Sequence, residues 1–187
     1  GRAPGTDQRT MRALRRDHTS AESFPRDVQE LQGYLTDQTR IPGVNATPGR
    51  GTNVPLYILG SSLFGATLAA ALGLPYGFAS HFAPDELERA VATYRHNFEP
   101  SEQLNEPYVI AGVSVIAADD EDVANADLLA AQRARVGMIA GRGRRYSDEE
   151  ADAILASPQG LYLRNMMRYS GVGNPASVAT YLDDFAV

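Results

Sequence analysis

The chain has 187 residues, 43% of them hydrophobic, which is enough to bury the core of one domain. Its formal net charge of −6 disfavours a general affinity for nucleic acids or for membrane surfaces. The sequence contains neither Cys nor Lys, which excludes disulfides, thiol nucleophiles, Cys-ligated metal centres, Schiff-base lysines and a P-loop lysine.

No apolar run reaches the roughly 18 to 20 residues that a membrane-spanning helix needs. The sequence also shows no signal peptide, so we expect a cytoplasmic protein. Two helices and a polar loop are predicted first along the chain: a short helix at 9–16, a helix following Phe24-Pro25, and the loop 36–53.

A strand–turn–helix–strand pattern occupies the next stretch. A short apolar run at 54–59 precedes the turn Gly60-Ser61-Ser62, a helix rich in small residues is predicted at 63–72, and a second apolar run follows at 76–79. Two buried runs joined by a helix indicate a βαβ unit and therefore a parallel sheet. Ligands of such folds bind at the carboxyl ends of the strands, which makes Gly60, Ser61, Ser62 and His81 the first candidate site residues.

The remainder continues the alternation of strands and helices. Pro84 is expected to open a helix whose apolar stripe contains Leu87, Val91, Tyr94 and Phe98. The other predicted elements are a strand at 108–117, a helix that follows residues 119–122 and runs to about 140, helices at 147–156 and at 160–169, a turn at 171–175, and a last helix at 176–185.

The Gly60-Ser61-Ser62 turn has two readings. Two hydroxyls and the unpaired N–H groups at a helix start can hold a phosphate, and the small residues Gly65 and Ala66 would let a ligand approach. Alternatively, Ser62 only caps the helix. The residues alone favour the capping role.

His81 is the histidine that follows a predicted strand. With a pKa near 6.5, an imidazole there can act as an acid or a base. The alternative, which the sequence leaves equally open, is that His81 caps the next helix or bonds locally. The three histidines lack metal-ligand spacing, so no metal site is expected.

Two further patterns imitate functional motifs. The acidic run 119–122 suits a solvated helix start better than a metal site, because the helix dipole favours carboxylates there. Residues 171–176 imitate the dinucleotide fingerprint GxGxxA, but no apolar strand precedes them, and Asn174-Pro175 is typical of a helix start.

The strand–turn–helix–strand segment resembles the luciferase-like flavin-dependent monooxygenases, the family of bacterial luciferase. The similarity is carried by ILGSS at 58–62 and LAAALGLPYGFASHF at 68–82, with GRAPGTD at 1–7 and HFAPDEL at 81–87. It extends from Gly1 to about residue 118 and more loosely to Val187. The resemblance implies an α/β fold, the (β/α)8 barrel, of which this chain would hold about half, without the N-terminal strands and the last strand.

The same resemblance implies the cofactor and its ligands. Reduced FMN would be bound through its phosphate by Arg2, Ser61, Ser62 and the backbone around Gly60 and Gly65. His81 would face the reacting edge of the flavin. The barrel end carrying these residues would shield the reaction from water.

The implied activity is that of a monooxygenase that uses reduced FMN and O2 to oxidise a small organic substrate. A flavin reductase would supply the reduced cofactor, and a homodimer is an assembly to be tested. Two alternatives stay open: an FMN- or deazaflavin-dependent oxidoreductase that transfers hydride on the same fold, and a truncated, non-catalytic relative of the barrel enzymes.

Overall fold

The computed structural model describes residues 8–15, 20–139 and 145–186. These residues form helices and short strands that group into two compact units. The first unit holds the described residues up to Phe78 together with residues 88–110, and the second holds residues 79–87 and the described residues from Ala111 onward. Among the described residues, no helix combines the length and the apolar character needed to cross a bilayer.

The first unit begins with α1 (Gln8–Ala13) and α2 (Ser20–Thr36). The short helix predicted at 9–16 is confirmed by α1. The second helix starts earlier than predicted, since Pro25 lies inside it, where its missing N–H removes a single helical hydrogen bond.

A parallel βαβ unit follows, as the sequence predicts. Strand β1 (Ile58–Gly60) pairs with β2 (Tyr76–Phe78), and helix α3 (Leu63–Ala71) connects them. The register places Gly60 opposite Phe78, so both strands end at the same edge of the sheet.

Strand β1 is shorter than the predicted run 54–59. Pro55 has no N–H to offer a neighbouring strand. The backbone of Leu56 is already paired with a side chain, because its N–H donates to Gln103 Oε1 (3.0 Å) and its carbonyl accepts from Gln103 Nε2 (2.8 Å). Regular strand pairing therefore begins only at Ile58.

The core of the first unit lies between α3, β2 and helix α4 (Leu87–His96), which follows a 3-10 turn at Pro84–Glu86. Tyr76 and Tyr94 are fully buried, and their ring centroids lie 5.5 Å apart. The Tyr94 hydroxyl donates to the Leu74 carbonyl (3.0 Å) and accepts from the Tyr108 N–H (3.1 Å). Burying one side chain of this size contributes about 1.5–3 kcal/mol.

The predicted strand at 108–117 is two strands. Strand β3 (Val109–Ala111) continues the first sheet in the order β1-β2-β3, and β4 (Ser114–Ala117) starts a second sheet. The break falls at Gly112 and Val113. The Ser80 hydroxyl donates to the Gly112 carbonyl at this point, so a side chain takes the place of a neighbouring strand.

The second unit pairs β4 in parallel with β5 (Ser170–Gly173). Its helices are α5 (Glu121–Ile139), α6 (Asp148–Leu155), α7 (Pro158–Asn165) and α8 (Pro175–Phe185). The core shared by α5, α6 and α7 contains Val136, Ala151, Leu155 and Leu163.

Strand β5 corrects the sequence prediction of a turn at 171–175. The segment has little strand propensity because Gly171 and Gly173 flank a single Val172. Packing requires both glycines: a Cβ on Gly171 would lie 2.9 Å from Tyr181 Cδ1, and Gly173 adopts φ +136°. The strand overlaps the GxGxxA pattern at 171–176 and does not precede it, and Asn174-Pro175 starts α8 as the sequence predicts.

Candidate functional site

The candidate cofactor residues of the first unit lie together at the carboxyl end of β1. Gly60 is the last residue of the strand, Ser61 and Ser62 form a bend, and α3 starts at Leu63. The side chains of Ser61 and Ser62 are half-buried. The structure thus brings Gly60, Ser61, Ser62 and Gly65 into one turn.

Ser62 has the backbone of a capping residue but does not cap with its side chain. Its φ of −151° and ψ of 163° are extended, and its hydroxyl makes no hydrogen bond to the start of α3. Side chains cap four other helices, α5, α6, α7 and α8, through Asp120, Ser147, Ser157 and Asn174. The structure therefore does not support the capping reading of Ser62.

The start of α3 has the chemistry of an anion site. The first N–H groups of a helix have no partner within the helix and carry partial positive charge. No acidic residue lies in the first turn of α3. Two serine hydroxyls add donors beside these N–H groups. A phosphate group, such as that of FMN, fits this donor set.

Small residues keep the turn compact. A Cβ added to Gly65 would lie 3.3 Å from Tyr76 Cε2 and 3.6 Å from the Gly60 Cα, so the start of α3 packs directly against the strand end. Any larger residue at position 65 must move the Tyr76 ring or the turn.

Tyr76 stabilises the turn through its hydroxyl group. Its hydroxyl donates to the Ser62 carbonyl at 3.1 Å. Burial raises the pKa of Tyr76 to about 12, so the phenol stays a neutral donor at physiological pH. Sequence reasoning missed this role. A tyrosine inside a buried strand could have indicated it, because a buried hydroxyl needs a hydrogen-bond partner.

His81 lies in the second unit, three residues after β2 ends. It is half-buried, and its ring centroid lies 4.4 Å from that of Phe82, which is 59% exposed. The cap position of the following 3-10 turn is Ala83, so His81 does not cap it. Arg2, the predicted cation for the phosphate, lies outside the described residues.

Two carboxylates at the start of α5 accept hydrogen bonds from within the chain. Asp120 Oδ1 accepts from the N–H groups of Asp122 (2.8 Å) and Val123 (3.2 Å), as the helix-start reading predicts. Glu121 Oε1 accepts from Asn174 Nδ2 (3.2 Å) and the Ser177 hydroxyl (2.9 Å). The start of α8 is therefore occupied by a carboxylate of the chain itself, unlike that of α3.

Comparison with known proteins extends these observations. The family model described as luciferase-like monooxygenase matches residues 10–186. The chain is 39% identical over 188 residues to the uncharacterized protein YvbT of Bacillus subtilis, covering 99% of this chain and 56% of YvbT. It is 49% identical over 143 residues to the luciferase-like monooxygenase of Escherichia coli K12, covering 75% of this chain and 42% of that protein.

Two solved structures have a similar fold. Apo-MsnO8 superposes with a TM-score of 0.79 at 29% identity, covering 100% of this chain and 56% of that one. The coenzyme F420 dependent tetrahydromethanopterin reductase of Methanopyrus kandleri gives a TM-score of 0.58 at 16% identity, covering 98% of this chain and 63% of the reductase, and shows likeness of fold alone.

The chain spans about half the length of the curated relatives it matches. The match to the family model nevertheless includes parts of both compact units, from within α1 to the end of α8. On this evidence, the chain belongs to the luciferase-like monooxygenase family.

Proposed function

We propose that this chain carries the flavin-phosphate site of an FMN-dependent monooxygenase. The observation that carries the proposal is the β1–α3 turn, where Ser62 stands at a helix start without bonding to it. In a member of this family, a turn with two hydroxyls and no carboxylate at the carboxyl end of a parallel strand is best explained by an anionic ligand.

Each candidate residue would have its own role in binding the cofactor or in the reaction. The hydroxyls of Ser61 and Ser62 and the N–H groups near Gly65 would donate to the phosphate oxygens, with Arg2 as a forked cation. Bound reduced FMN would supply the two electrons with which one atom of O2 enters the substrate and the other leaves as water. His81 would hold or donate a proton at the reacting edge through its imidazole.

The proposed architecture is part of a (β/α)8 barrel. The two parallel strand pairs and the intervening helices support this, as does the similarity to apo-MsnO8 over 56% of that chain. In such barrels the residues after each strand form the active site, which agrees with the position of the Ser61-Ser62 turn.

The fate of oxygen tests the proposed reaction. The protein containing this chain is mixed with reduced FMN, 18O2 and a panel of aldehydes, ketones and organic sulfides. The masses of the products are then measured by mass spectrometry. The proposal predicts a product that contains one 18O atom. This product should form only when reduced FMN is present.

Two results would contradict the proposal. Oxidation or reduction of a substrate without incorporated 18O would favour the hydride-transferring alternative, and the same assay with a reduced deazaflavin would then identify the cofactor. Failure of the folded protein to bind either cofactor would favour the non-catalytic alternative.

A further inference from the structure

A cavity of about 530 Å³ lies in the first unit at the end of β1 opposite to the Ser61-Ser62 turn. Its walls come from the second half of α2, the residues just before β1 and residues 101–103. A volume of this size is typical of small-molecule sites. Because it opens at the amino end of β1, it is separate from the candidate phosphate turn and independent of the proposed function.

Side-chain amides dominate the polar wall of this cavity. Gln103 pairs through both amide atoms with the backbone of Leu56, and Gln29 Oε1 accepts from an Arg40 guanidinium nitrogen at 2.6 Å. The amide of Gln32, one turn along α2 from Gln29, makes no hydrogen bond within the described part of the chain. Gln32 is half-buried and lines the cavity, so its donor and acceptor are available to a ligand there.

Part of the remaining wall is apolar, and the lining has no dominant charge. Leu35, Val54 and Leu56 contribute aliphatic surface. The charged lining residues, Arg40 and Glu102, have opposite signs, and Arg40 is engaged by Gln29. These features favour a neutral ligand with an apolar body over an anion or a cation.

We propose that this cavity binds a small neutral organic carboxamide. The Gln32 amide would pair with the ligand carboxamide through one donated and one accepted hydrogen bond, as Gln103 pairs with the Leu56 peptide unit. The apolar part of the ligand would lie against Leu35 and Leu56. Position 32 would then determine whether an amide is distinguished from an ester of the same shape.

The probes are benzamide and methyl benzoate, which share the aromatic body but differ in the donating NH2 group. Each is titrated into the 15N-labelled protein containing this chain, and amide chemical shifts are followed by NMR. Benzamide is expected to shift the resonances of residues 29–36 and 53–56 in a saturable way, and methyl benzoate to bind about fivefold more weakly, as expected for one lost hydrogen bond.

Two variants separate binding from folding. Gln32→Leu keeps a good helix former but removes both hydrogen bonds to benzamide and the one that methyl benzoate keeps. It is therefore expected to weaken benzamide about 25-fold and to bind both probes equally. Gln159→Leu, at an exposed position on α7, is the matched control and should bind like the wild type. The proposal is overturned if benzamide causes no saturable shifts at the cavity, if the two probes bind the wild type equally, or if folded Gln32→Leu retains the preference.

Discussion

Ser62 is the N-cap residue of α3 and has extended backbone geometry, but its hydroxyl makes no hydrogen bond to the helix. Ser157 occupies the same position of α7, where its hydroxyl accepts from the Gly160 N–H at 3.3 Å. Substituting each serine in turn therefore distinguishes the structural role of a helix cap, expected for Ser157, from a binding role, expected for Ser62.

We expect Ser62→Ala to change the free energy of unfolding by less than about 0.5 kcal/mol, because no capping bond is lost. Ser157→Ala should cost about 1 kcal/mol, the usual value of an N-cap. Urea denaturation of both variants measures the difference. An equal loss in both would restore the capping reading of Ser62.

Tyr76 is the second residue on which the turn depends. Its hydroxyl holds the Ser62 carbonyl, while its ring fills the space left by Gly65. Tyr76→Phe keeps the ring and removes the bond, so we expect a loss of about 1 kcal/mol at pH 7. Tyr57→Phe, at a 55% exposed position, is the control and should leave stability unchanged.

The raised pKa of Tyr76 adds a pH dependence. The unfolded chain loses the phenol proton near pH 10, whereas burial raises the pKa of folded Tyr76 to about 12. The stability that comes from the neutral form is therefore complete below pH 10 and is lost as the pH rises from 10 to 12. Burial also raises the pKa of Tyr94, which contributes in the same direction.

Thermal unfolding at pH 8 to 12 tests this dependence. The melting temperature of wild type should fall more steeply above pH 10 than that of Tyr76→Phe, which keeps only the contributions of Tyr94 and Tyr181, whose pKa values burial also raises. Parallel curves for the two proteins would contradict the assignment of the raised pKa to Tyr76.

At the scale of elements, Gly73 determines where α3 ends and β2 can begin. It adopts φ +59°, and an added Cβ would lie 2.5 Å from Ser101 Cβ and 2.6 Å from the Glu99 carbonyl oxygen. Gly51 has a similar φ of +72° but open space around it. Comparing alanine variants of Gly51 and Gly73 therefore separates the cost of backbone strain from the cost of steric overlap.

Gly51→Ala should cost about 1–2 kcal/mol from the left-handed backbone alone. Gly73→Ala carries the same strain plus an overlap with backbone, so we expect a loss larger by at least about 1 kcal/mol. Chemical denaturation measures both losses. Equal losses would mean that residues 99–101 move aside freely.

The elements that sequence reasoning located correctly are those with local signals. Helix α3 ends at Ala71, next to the predicted bound at 72, and α6 starts with a capping box between Ser147 and Glu150. The strand β2 was found because its apolar run ends at polar residues. In each case the signal and the structure involve neighbouring residues.

The elements that were missed depend on distant contacts. Strand β5 is held by β4 and by Tyr181 rather than by its own Gly-rich sequence. The break between β3 and β4 is stabilised by Ser80, which lies 32 residues away from Gly112. The support of the turn by Tyr76 also needs the pairing of β1 with β2, which composition does not show.

At the scale of the molecule, alternate strand residues present apolar side chains outward. Leu59 of β1 is 64% exposed and Ile110 of β3 is 46% exposed in the first unit, and Val115 of β4 is 50% exposed in the second. Strands buried on both faces are the rule in α/β barrels. This agrees with the proposed architecture, in which further barrel elements cover these side chains.

The central claim is that the β1–α3 turn recognises the flavin phosphate. The most direct measurement compares the dissociation constants of FMN and riboflavin, which differ only by that phosphate, by fluorescence titration of the protein containing this chain. We expect FMN to bind at least about tenfold more tightly, the value of a charge-assisted contact, and Ser61→Ala/Ser62→Ala to reduce this preference strongly.

Ser157→Ala serves as the control and should keep the full preference for FMN, because its hydroxyl caps α7 instead. Equal binding of the two flavins to the wild type would contradict the claim, as would a preference that survives in the folded double variant.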